Sequence, residues 1–148
     1  MSSMNEKYKQ FKYEVEAIKR KVDKLLEDSL QKEPEDKLVF RQYEELSEIL
    51  EDTIYKTDYY SRPVKSGELR KMSNDKFELV DELGKQNVYF SCGEAIECFV
   101  NIDEEMTWAA GRVEYGTKDE EEGYYFYCIE AGHPFLEDGM QARIRTFE

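Results

Sequence analysis

Apolar residues in the first third of the chain recur at spacings of three and four, the period of an α-helix. A first stripe consists of Tyr8, Phe11, Val15, Ile18, Val22 and Leu25. A second consists of Val39, Tyr43, Leu46, Leu50 and Ile54. The segment Gln31-Lys32-Glu33-Pro34 interrupts the pattern, and Pro34 suits the first turn of a helix, where its missing N–H needs no partner. We therefore predict an antiparallel helical hairpin within residues 1–60.

The hairpin carries more large apolar side chains than two helices can bury against each other. The surplus aromatic residues are Phe40, Tyr55, Tyr59 and Tyr60. We expect them to dock on the second half of the chain, on another copy of the chain or on a partner.

Beyond residue 60 the pattern changes to short alternating segments separated by turn signals. Residues 61–67 have turn composition, and Pro63 disfavours helix at Arg62, so we place a linker there. The predicted strands are Glu68–Met72, Phe77–Val80, Ala95–Ile102, Thr107–Tyr115, Tyr124–Glu130 and Met140–Arg145. Strands of this number and length predict a small barrel over residues 68–148. The expected fold class is α+β, a helical hairpin followed by an SH3-like β-barrel.

Composition narrows the class of protein. The 148 residues are 37% charged and 14% aromatic, which is too polar for a membrane span and too aromatic for a disordered chain. The N-terminus has no apolar segment behind a basic start, so we expect no signal peptide and a cytoplasmic location. Three widely spaced Cys residues argue against a disulfide framework.

The negative charge is concentrated in the C-terminal part. The net charge is -13, and residues 87–148 carry four basic against fourteen acidic side chains. Such a surface repels a nucleic-acid backbone and attracts a basic protein. The candidate phosphate surrogates are Asp103, Glu104, Glu105, Asp119, Glu120, Glu121 and Glu122. Trp108 and Tyr125 are the candidate apolar anchors for the same partner.

Seven short motifs in the second half resemble, in this order, a small bacterial domain-of-unknown-function family. They are Gly67-Glu68-Leu69, Phe77-Glu78-Leu79, Ser91-Cys92-Gly93, Ile96-Glu97-Cys98, Trp108 to Glu114, Tyr124-Tyr125-Phe126 and Leu136 to Arg145. The resemblance covers residues 67–146 and leaves the hairpin uncovered. It implies an SH3-like barrel of the kind carried by plasmids, conjugative elements and prophages. The family has no assigned chemistry, and this chain adds the acidic segment Asp119–Glu122 to its usual short turn.

The most specific motif residues have structural explanations. We expect Gly111 to permit a close backbone approach within a strand, and Gly139 to form a turn after Asp138. Alternation places Arg143 and Arg145 on the outer side of their strand. On a neighbouring strand it places Trp108, Arg112 and Glu114 outward. Arg–Glu pairs between such strands would be exposed and worth about 0–1 kcal/mol each.

No residue pattern points to catalysis, a metal or a cofactor. The residues Cys92, Cys98, Cys128 and His133 could supply a zinc site, but five residues separate the first pair and four the last, unlike a zinc knuckle. His133 lies between Gly132 and Pro134, which is typical of a loop, and no nucleophile motif accompanies it. We therefore expect a protein that is not an enzyme and binds no cofactor.

An aromatic cage for methylated Lys or Arg is another option. Its residues would be Trp108, Tyr115, Tyr124, Tyr125 and Tyr127. Alternation assigns Tyr125 and Tyr127 to one strand face and Tyr124 and Phe126 to the other, so at least one of these sets belongs to the core.

The function that fits best is an acidic protein-binding module of a mobile element. It would inhibit or regulate a basic, nucleic-acid-handling protein by occupying its nucleic-acid groove, as anti-restriction and anti-CRISPR proteins do. One alternative is a module that forms a homodimer through the stripe Tyr8–Leu25. Another is a nucleic-acid-binding barrel that uses the basic residues Arg62, Lys65, Arg70 and Lys71.

Overall fold

The computed structural model describes residues 4–28, 34–81, 84 and 87–147. The chain divides into two compact units. One contains the residues up to Pro63 together with Phe147, and the other is Val64–Thr146. The first unit holds two helices, α1 (Met4–Asp28) and α2 (Pro34–Ser61), so the predicted helical hairpin is confirmed. The predicted interruption at residues 31–33 lies outside the described residues.

Side-chain contacts show that α1 and α2 are antiparallel. Lys12 Nζ lies 3.1 Å from Asp58 Oδ1, near the start of α1 and the end of α2. Farther along α1, Ser47 donates a 2.7 Å hydrogen bond to Asp23. Val15 and Val22 are buried between the helices. These contacts place the early residues of α1 beside the late residues of α2.

The second unit is a curled antiparallel sheet of seven strands. The strands are β1 (Val64–Lys71), β2 (Phe77–Asp81), β3 (Asn87–Tyr89), β4 (Ala95–Ile102), β5 (Glu105–Lys118), β6 (Glu121–Tyr127) and β7 (Gln141–Arg145). Their order in the sheet is β3-β2-β1-β7-β4-β5-β6. The α+β class is therefore confirmed. The sheet is a half-barrel rather than the expected closed barrel, because β3 and β6 form its two ends.

The strand boundaries differ from the predicted ones where alternation is weak. The predicted segment Ala95–Ile102 coincides with β4, whereas β5 extends the predicted segment Thr107–Tyr115 at both ends. The segment predicted to run to Glu130 ends at Tyr127, because Ile129–Ala131 form a single turn of 3₁₀-helix. Strand β3 was not predicted. Only Arg62 and Pro63 connect α2 to β1, fewer residues than the proposed linker 61–67.

One face of the sheet carries the hydrophobic core. Its fully buried members come from most of the strands and from the segment after β3. They include Leu69, Leu79, Phe90, Ile96, Cys98, Val113 and Phe126. Gly111 allows this packing as expected, since a Cβ there would collide with the Tyr127 carbonyl oxygen and the Phe126 ring. Gly139 has φ 85°, the left-handed conformation expected for the turn before β7.

No helix within the described part of the chain is long and apolar enough to cross a membrane.

Candidate functional site

The face of the sheet opposite the core holds a buried ion pair between strands β4 and β7. Glu97 of β4 is only 4% exposed and lies opposite Arg143 in the strand register. Arg143 donates from Nε to Glu97 Oε1 at 2.9 Å. Arg145 donates from Nε to Oε2 at 2.7 Å and from Nη2 to Oε1 at 3.1 Å. Both carboxylate oxygens of Glu97 therefore accept hydrogen bonds from guanidinium groups.

The two arginines keep Glu97 ionised. Burial alone raises the pKa of Glu97, but hydrogen bonds from Arg145 and Arg143, together with their positive charges, outweigh burial and hold that pKa below its ordinary value. The outward direction of the β7 arginines was predicted from alternation. The prediction that Arg–Glu pairs between strands are exposed and weak is wrong for Glu97, which is only 4% exposed and is bonded by both arginines.

Arg143 also positions the single tryptophan of the chain. Its guanidinium carbon lies 4.2 Å from the Trp108 ring centroid, within the range of a cation–π contact. Phe99, directly opposite Trp108 in the register of β4 and β5, packs on the same ring with centroids 5.4 Å apart. Trp108 is thus held at one defined place by contacts from β4 and β7.

Trp108 lines a groove of about 990 Å³ in this unit. The other charged or polar residues described along the groove are Ser66, Glu68, Arg70, Asp81, Asp138 and Gln141. Three of these described residues are acidic and one is basic. Asp138 accepts a 2.5 Å hydrogen bond from the Lys71 backbone N–H, which fixes one of these carboxylates at the rim. The groove therefore offers an indole and several carboxylates to a ligand.

The candidate phosphate surrogates form two groups at opposite ends of β5. Asp103 and Glu104 form the β4–β5 turn, and Asp119 and Glu120 form the β5–β6 turn. Since β5 has 14 residues, its whole length separates these two turns. The structure places each group on a hairpin tip and does not bring them together.

The remaining surrogates lie beside these tips. Glu105 is the first residue of β5, while Glu121 and Glu122 begin β6, and all three are exposed. Glu122 has a local role as well: partial burial and a hydrogen bond to Glu122 raise the pKa of Tyr115. The seven acidic residues are accordingly a divided set of solvent-facing carboxylates.

Tyr125 and Trp108, the two proposed anchors, also lie apart. Tyr125 faces Glu114 in the register of β5 and β6, six residues along β5 from Trp108. That separation is about 20 Å along the strand. Tyr125 contacts the His133 ring at 6.1 Å between centroids instead of the indole. The predicted anchors therefore belong to different places on the sheet.

The aromatic residues considered for a cage form separate pairs. Tyr115 and Tyr124 make an edge contact with centroids 4.9 Å apart. Tyr127 contacts the His133 ring, with centroids 4.5 Å apart, and the Arg112 guanidinium carbon, which lies 3.9 Å from the Tyr127 centroid. Phe126 is buried in the core, as alternation predicted. Their rings do not converge with Trp108 on one cavity.

The cysteines and the histidine have structural surroundings. Cys98 and Cys128 are buried and Cys92 is exposed. Burial, reinforced by Cys128 and Glu97, raises the pKa of Cys98 to about 12, so its thiol stays protonated. His133 Nδ1 accepts a 3.1 Å hydrogen bond from the Cys128 backbone N–H. Among residues 4–28, 34–81, 84 and 87–147, no three His, Cys, Asp or Glu side chains cluster in a way that could hold a metal.

The basic residues proposed to bind nucleic acid are distributed over different surroundings. Arg62 belongs to the helical unit and pairs with Asp58 at 2.9 Å. Arg70 lines the groove, whereas Lys65 and Lys71 lie on the other side of β1 because side chains alternate along a strand. Lys71 lies 3.7 Å from Asp75.

Glu97 is the residue that sequence reasoning missed. The outward positions of Arg143 and Arg145 in β7 were predicted, but no role was predicted for Glu97. The missing information was that β4 and β7 are neighbours, since nearly forty residues separate them in the chain. A single acidic residue between Ile96 and Cys98 was the only local signal.

Residues 67–144 match the family model described as domain of unknown function DUF5348, which covers more than half of the chain. The chain therefore belongs to this family, and the matched segment contains Glu97, Trp108 and Arg143. Neither the curated proteins nor the solved structures yielded a significant match.

Proposed function

We propose that the protein is a binding module without catalytic activity, and that its groove receives a basic segment of a partner protein beside Trp108. The observation that carries this proposal is that Trp108 and the acidic residues Glu68, Asp81 and Asp138 line one groove. Carboxylates attract Lys and Arg, and an indole supplies apolar area and a cation–π face at low entropic cost.

The charge of the C-terminal part of the chain favours the same kind of partner. Residues 87–148 carry fourteen acidic against four basic side chains, which steers a cationic surface toward the groove and opposes a nucleic-acid backbone. The carboxylates at the two ends of β5 lie at most about 45 Å apart and extend the acidic surface beyond the groove.

The finer proposal concerns the type of partner and of barrel. We propose that the half-barrel is a variant of the SH3-like fold and that the partner is a basic, nucleic-acid-handling protein. The chain would inhibit or regulate it on behalf of a mobile element, in the manner of anti-restriction and anti-CRISPR proteins. Support comes from the curl of the antiparallel sheet and from carboxylates that stand on hairpin tips.

A fluorescence titration tests the groove directly, because Trp108 is the only tryptophan in the chain. A nona-arginine peptide added to the full chain should change the Trp108 emission in a saturable way. The apparent affinity should fall as salt rises, since screening weakens contacts between exposed charges. Emission that stays unchanged up to millimolar peptide would contradict the proposal.

Two single charge reversals separate the groove from the general acidity of the unit. Glu68→Lys alters the groove lining, whereas Glu120→Lys makes the same change at the β5–β6 tip. Binding in the groove predicts that Glu68→Lys weakens the peptide about tenfold and that Glu120→Lys changes affinity less than about threefold. Equal losses in both variants would show attraction by total charge alone.

The proposed role of the tips needs the natural partner, which affinity capture from host cells and mass spectrometry would supply. Reversal of all four charges at Asp119–Glu122 should weaken that complex and reduce its salt dependence. Unchanged affinity and salt dependence would remove these residues from the interface.

A further inference from the structure

The helical hairpin leaves one apolar row of α1 half exposed. Phe11, Ile18 and Leu25 are spaced seven residues apart and are 48%, 50% and 52% exposed. Val15 and Val22, which belong to the same apolar stripe, are buried against α2. The stripe is therefore wider than the seam between the two helices, and its outer part forms a continuous row along α1.

The opposite edge of the seam is closed by polar contacts. Lys12 pairs with Asp58, and Lys19 Nζ lies 2.7 Å from Asp23, which also accepts the Ser47 hydroxyl. Lys12 directly follows Phe11, and Lys19 directly follows Ile18. The row of lysines therefore lies about 100° around the helix from the apolar row. One edge of the hairpin seam is thus ionic and the other is apolar.

Helix α2 adds to the same apolar side. Val39 and Leu46 are seven residues apart and 44% and 39% exposed. Leu46 directly precedes the seam residue Ser47, as Ile18 precedes Lys19. Ile18 and Leu46 therefore each lie one residue before a residue of the seam. Because the helices are antiparallel, these two positions lie on the same side of the hairpin. The two rows, Phe11, Ile18 and Leu25 on α1 and Val39 and Leu46 on α2, therefore form one face, which we call the open face.

The open face has the dimensions of a stable interface. Helix α1 has 25 residues and is about 37 Å long, and two helices packed 8–10 Å apart are about 20 Å wide. The resulting footprint of about 700 Å² approaches the area of about 800 Å² that each partner contributes to a standard interface.

The charges that border the open face identify its occupant. A second row of α1, again at seven-residue spacing, reads Lys7, Glu14, Lys21, Asp28. When this row is laid against itself in the antiparallel direction, Lys7 meets Asp28 and Glu14 meets Lys21. In nearly the same register Phe11 faces Leu25 of the other copy, and Ile18 faces Ile18 of the other copy. The charged row and the apolar row are thus self-complementary about one point, the requirement for a two-fold interface between identical chains.

We propose that the open face binds a second copy of the chain, with α1 packed antiparallel on α1 of the other copy about a two-fold axis near Ile18. The two hairpins then form an antiparallel four-helix bundle in which the half-exposed apolar rows are buried. Each Glu14–Lys21 and Lys7–Asp28 pair occurs twice by symmetry. The dimer presents two grooves at once, and this inference does not depend on what the grooves bind.

Sedimentation equilibrium of the full chain measures the association. The expected mass at micromolar concentration is twice the 17.6 kDa of one chain. Ile18→Lys places two like charges together at the axis and should weaken the dimer by at least about a hundredfold. A wild-type chain that stays monomeric at 100-micromolar concentration, roughly the upper range for a specific dimer, would overturn the proposal.

A charge-swap series tests the register without touching the apolar rows. Glu14→Lys and Lys21→Glu should each weaken the dimer about tenfold, because each variant creates two like-charge pairs. The double variant E14K/K21E should restore the affinity to within about threefold of wild type. The matched control is Arg20→Glu, an equal reversal on the side of α1 that faces away from both α2 and the open face, which should leave the dimer unchanged.

The series also discriminates between arrangements. If α1 packs instead on α2 of the other copy, Glu14 and Lys21 do not face each other, and E14K/K21E would not restore the affinity; that result would overturn the proposed register. Circular dichroism of every variant checks that helix content is retained. If Ile18→Lys loses its helices, the swap series still decides, because all of its changes lie on exposed positions.

Discussion

Glu97 shows how one side chain ties distant parts of the chain together. It lies in β4 and accepts hydrogen bonds from two arginines of β7, one of which also covers Trp108. Burying a carboxylate of this kind costs desolvation energy, which the hydrogen bonds and charges of its partners must offset. Removing one partner therefore destabilises the protein by more than the pair itself contributes to stability. The orientation of Trp108 in the groove therefore depends on Glu97 through Arg143.

Removing the Glu97 carboxylate should destabilise the protein strongly. We expect Glu97→Ala to lower the free energy of unfolding by about 3 kcal/mol, because it removes a buried carboxylate that accepts hydrogen bonds from both Arg143 and Arg145. Urea denaturation monitored by Trp108 fluorescence measures the change. The control Glu114→Ala, which removes a more exposed pair with Arg112, should cost less than about 1 kcal/mol. Equal losses in the two variants would contradict the assigned role of Glu97.

The same group predicts an acid dependence of stability. The pKa of Glu97 is lower in the folded state than in the unfolded chain, so the folded protein binds fewer protons in this range. The contribution of Glu97 to the free energy of unfolding is complete above its pKa in the unfolded chain, about 4.3. This contribution is lost as the pH falls through the lower pKa of the folded state. The free energy of unfolding, followed from pH 6 to pH 3, should therefore fall less in Glu97→Gln than in wild type. If the free energy of unfolding falls equally with pH in Glu97→Gln and in wild type, Glu97 is not the source of the acid dependence.

At the level of elements, the two β-hairpins that share β5 have acidic residues in turns that favour glycine. Asp103 and Glu104 have φ of 52° and 68°, and Asp119 and Glu120 have φ of 51° and 69°. Two consecutive left-handed residues define the type I′ turn, which usually carries Asn-Gly or Asp-Gly. The carboxylates of Glu104 and Glu120 thus occupy positions that are strained for any residue with a Cβ.

Glu120→Gly should stabilise the protein. Glycine removes the left-handed strain at this position, and the relief exceeds the added entropy of the unfolded chain. We expect a gain of about 0.5 to 1 kcal/mol in urea denaturation. Glu121→Gly, one residue later in β6, serves as the control and should destabilise instead, since glycine weakens a strand. If both variants lower the free energy of unfolding, residue 120 does not have the left-handed conformation described for the β5–β6 turn.

The strands that could be predicted are those with unbroken alternation. In β4, Ile96, Cys98 and Val100 alternate with Glu97 and Phe99, and its predicted bounds are confirmed. β3 has only three residues, too few for a periodic pattern, and it forms because β2 offers it an edge. The ends of β5 were missed because Thr117 and Lys118 are held there by pairing with β6 rather than by their own apolar pattern.

The whole molecule consists of two units with separate sources of stability. All seven strands and the core cluster belong to residues 64–146, whereas the helical unit is held by the seam between α1 and α2. The family match covers residues 67–144, so it concerns the sheet and not the hairpin. A chain organised in this way is expected to unfold in parts rather than in one step.

A fragment of residues 64–146 should fold by itself. Its buried core and every strand pairing lie within these residues, so removal of the hairpin leaves them intact. We expect β-type circular dichroism and a cooperative urea transition whose Trp108 fluorescence midpoint lies within about 0.5 M of that of the full chain. A fragment with no cooperative transition would show that the sheet depends on the hairpin. The full chain, measured in parallel, is the reference.

The candidate site was predictable in part at this scale. The acidic character of residues 87–148 and the identity of Trp108 as a candidate anchor follow from the sequence, and the role of Trp108 as an anchor stays a prediction. The predicted strand Thr107–Tyr115 already lies between Asp103 and Asp119, and the structure extends this strand to the 14 residues of β5, with one turn at each end.

By itself, the sequence determined the two helices, the β character of the second half, the outward positions of Arg143 and Arg145, and the excess of negative charge. These properties are local or additive, since they depend on residue spacing and on counts. The order of the strands in the sheet, the burial of Glu97 between the arginines, the groove around Trp108 and the open face of the hairpin were decided only by the tertiary structure. Each of these requires residues far apart in the chain to meet, and periodicity carries no information about which strand becomes the neighbour of another.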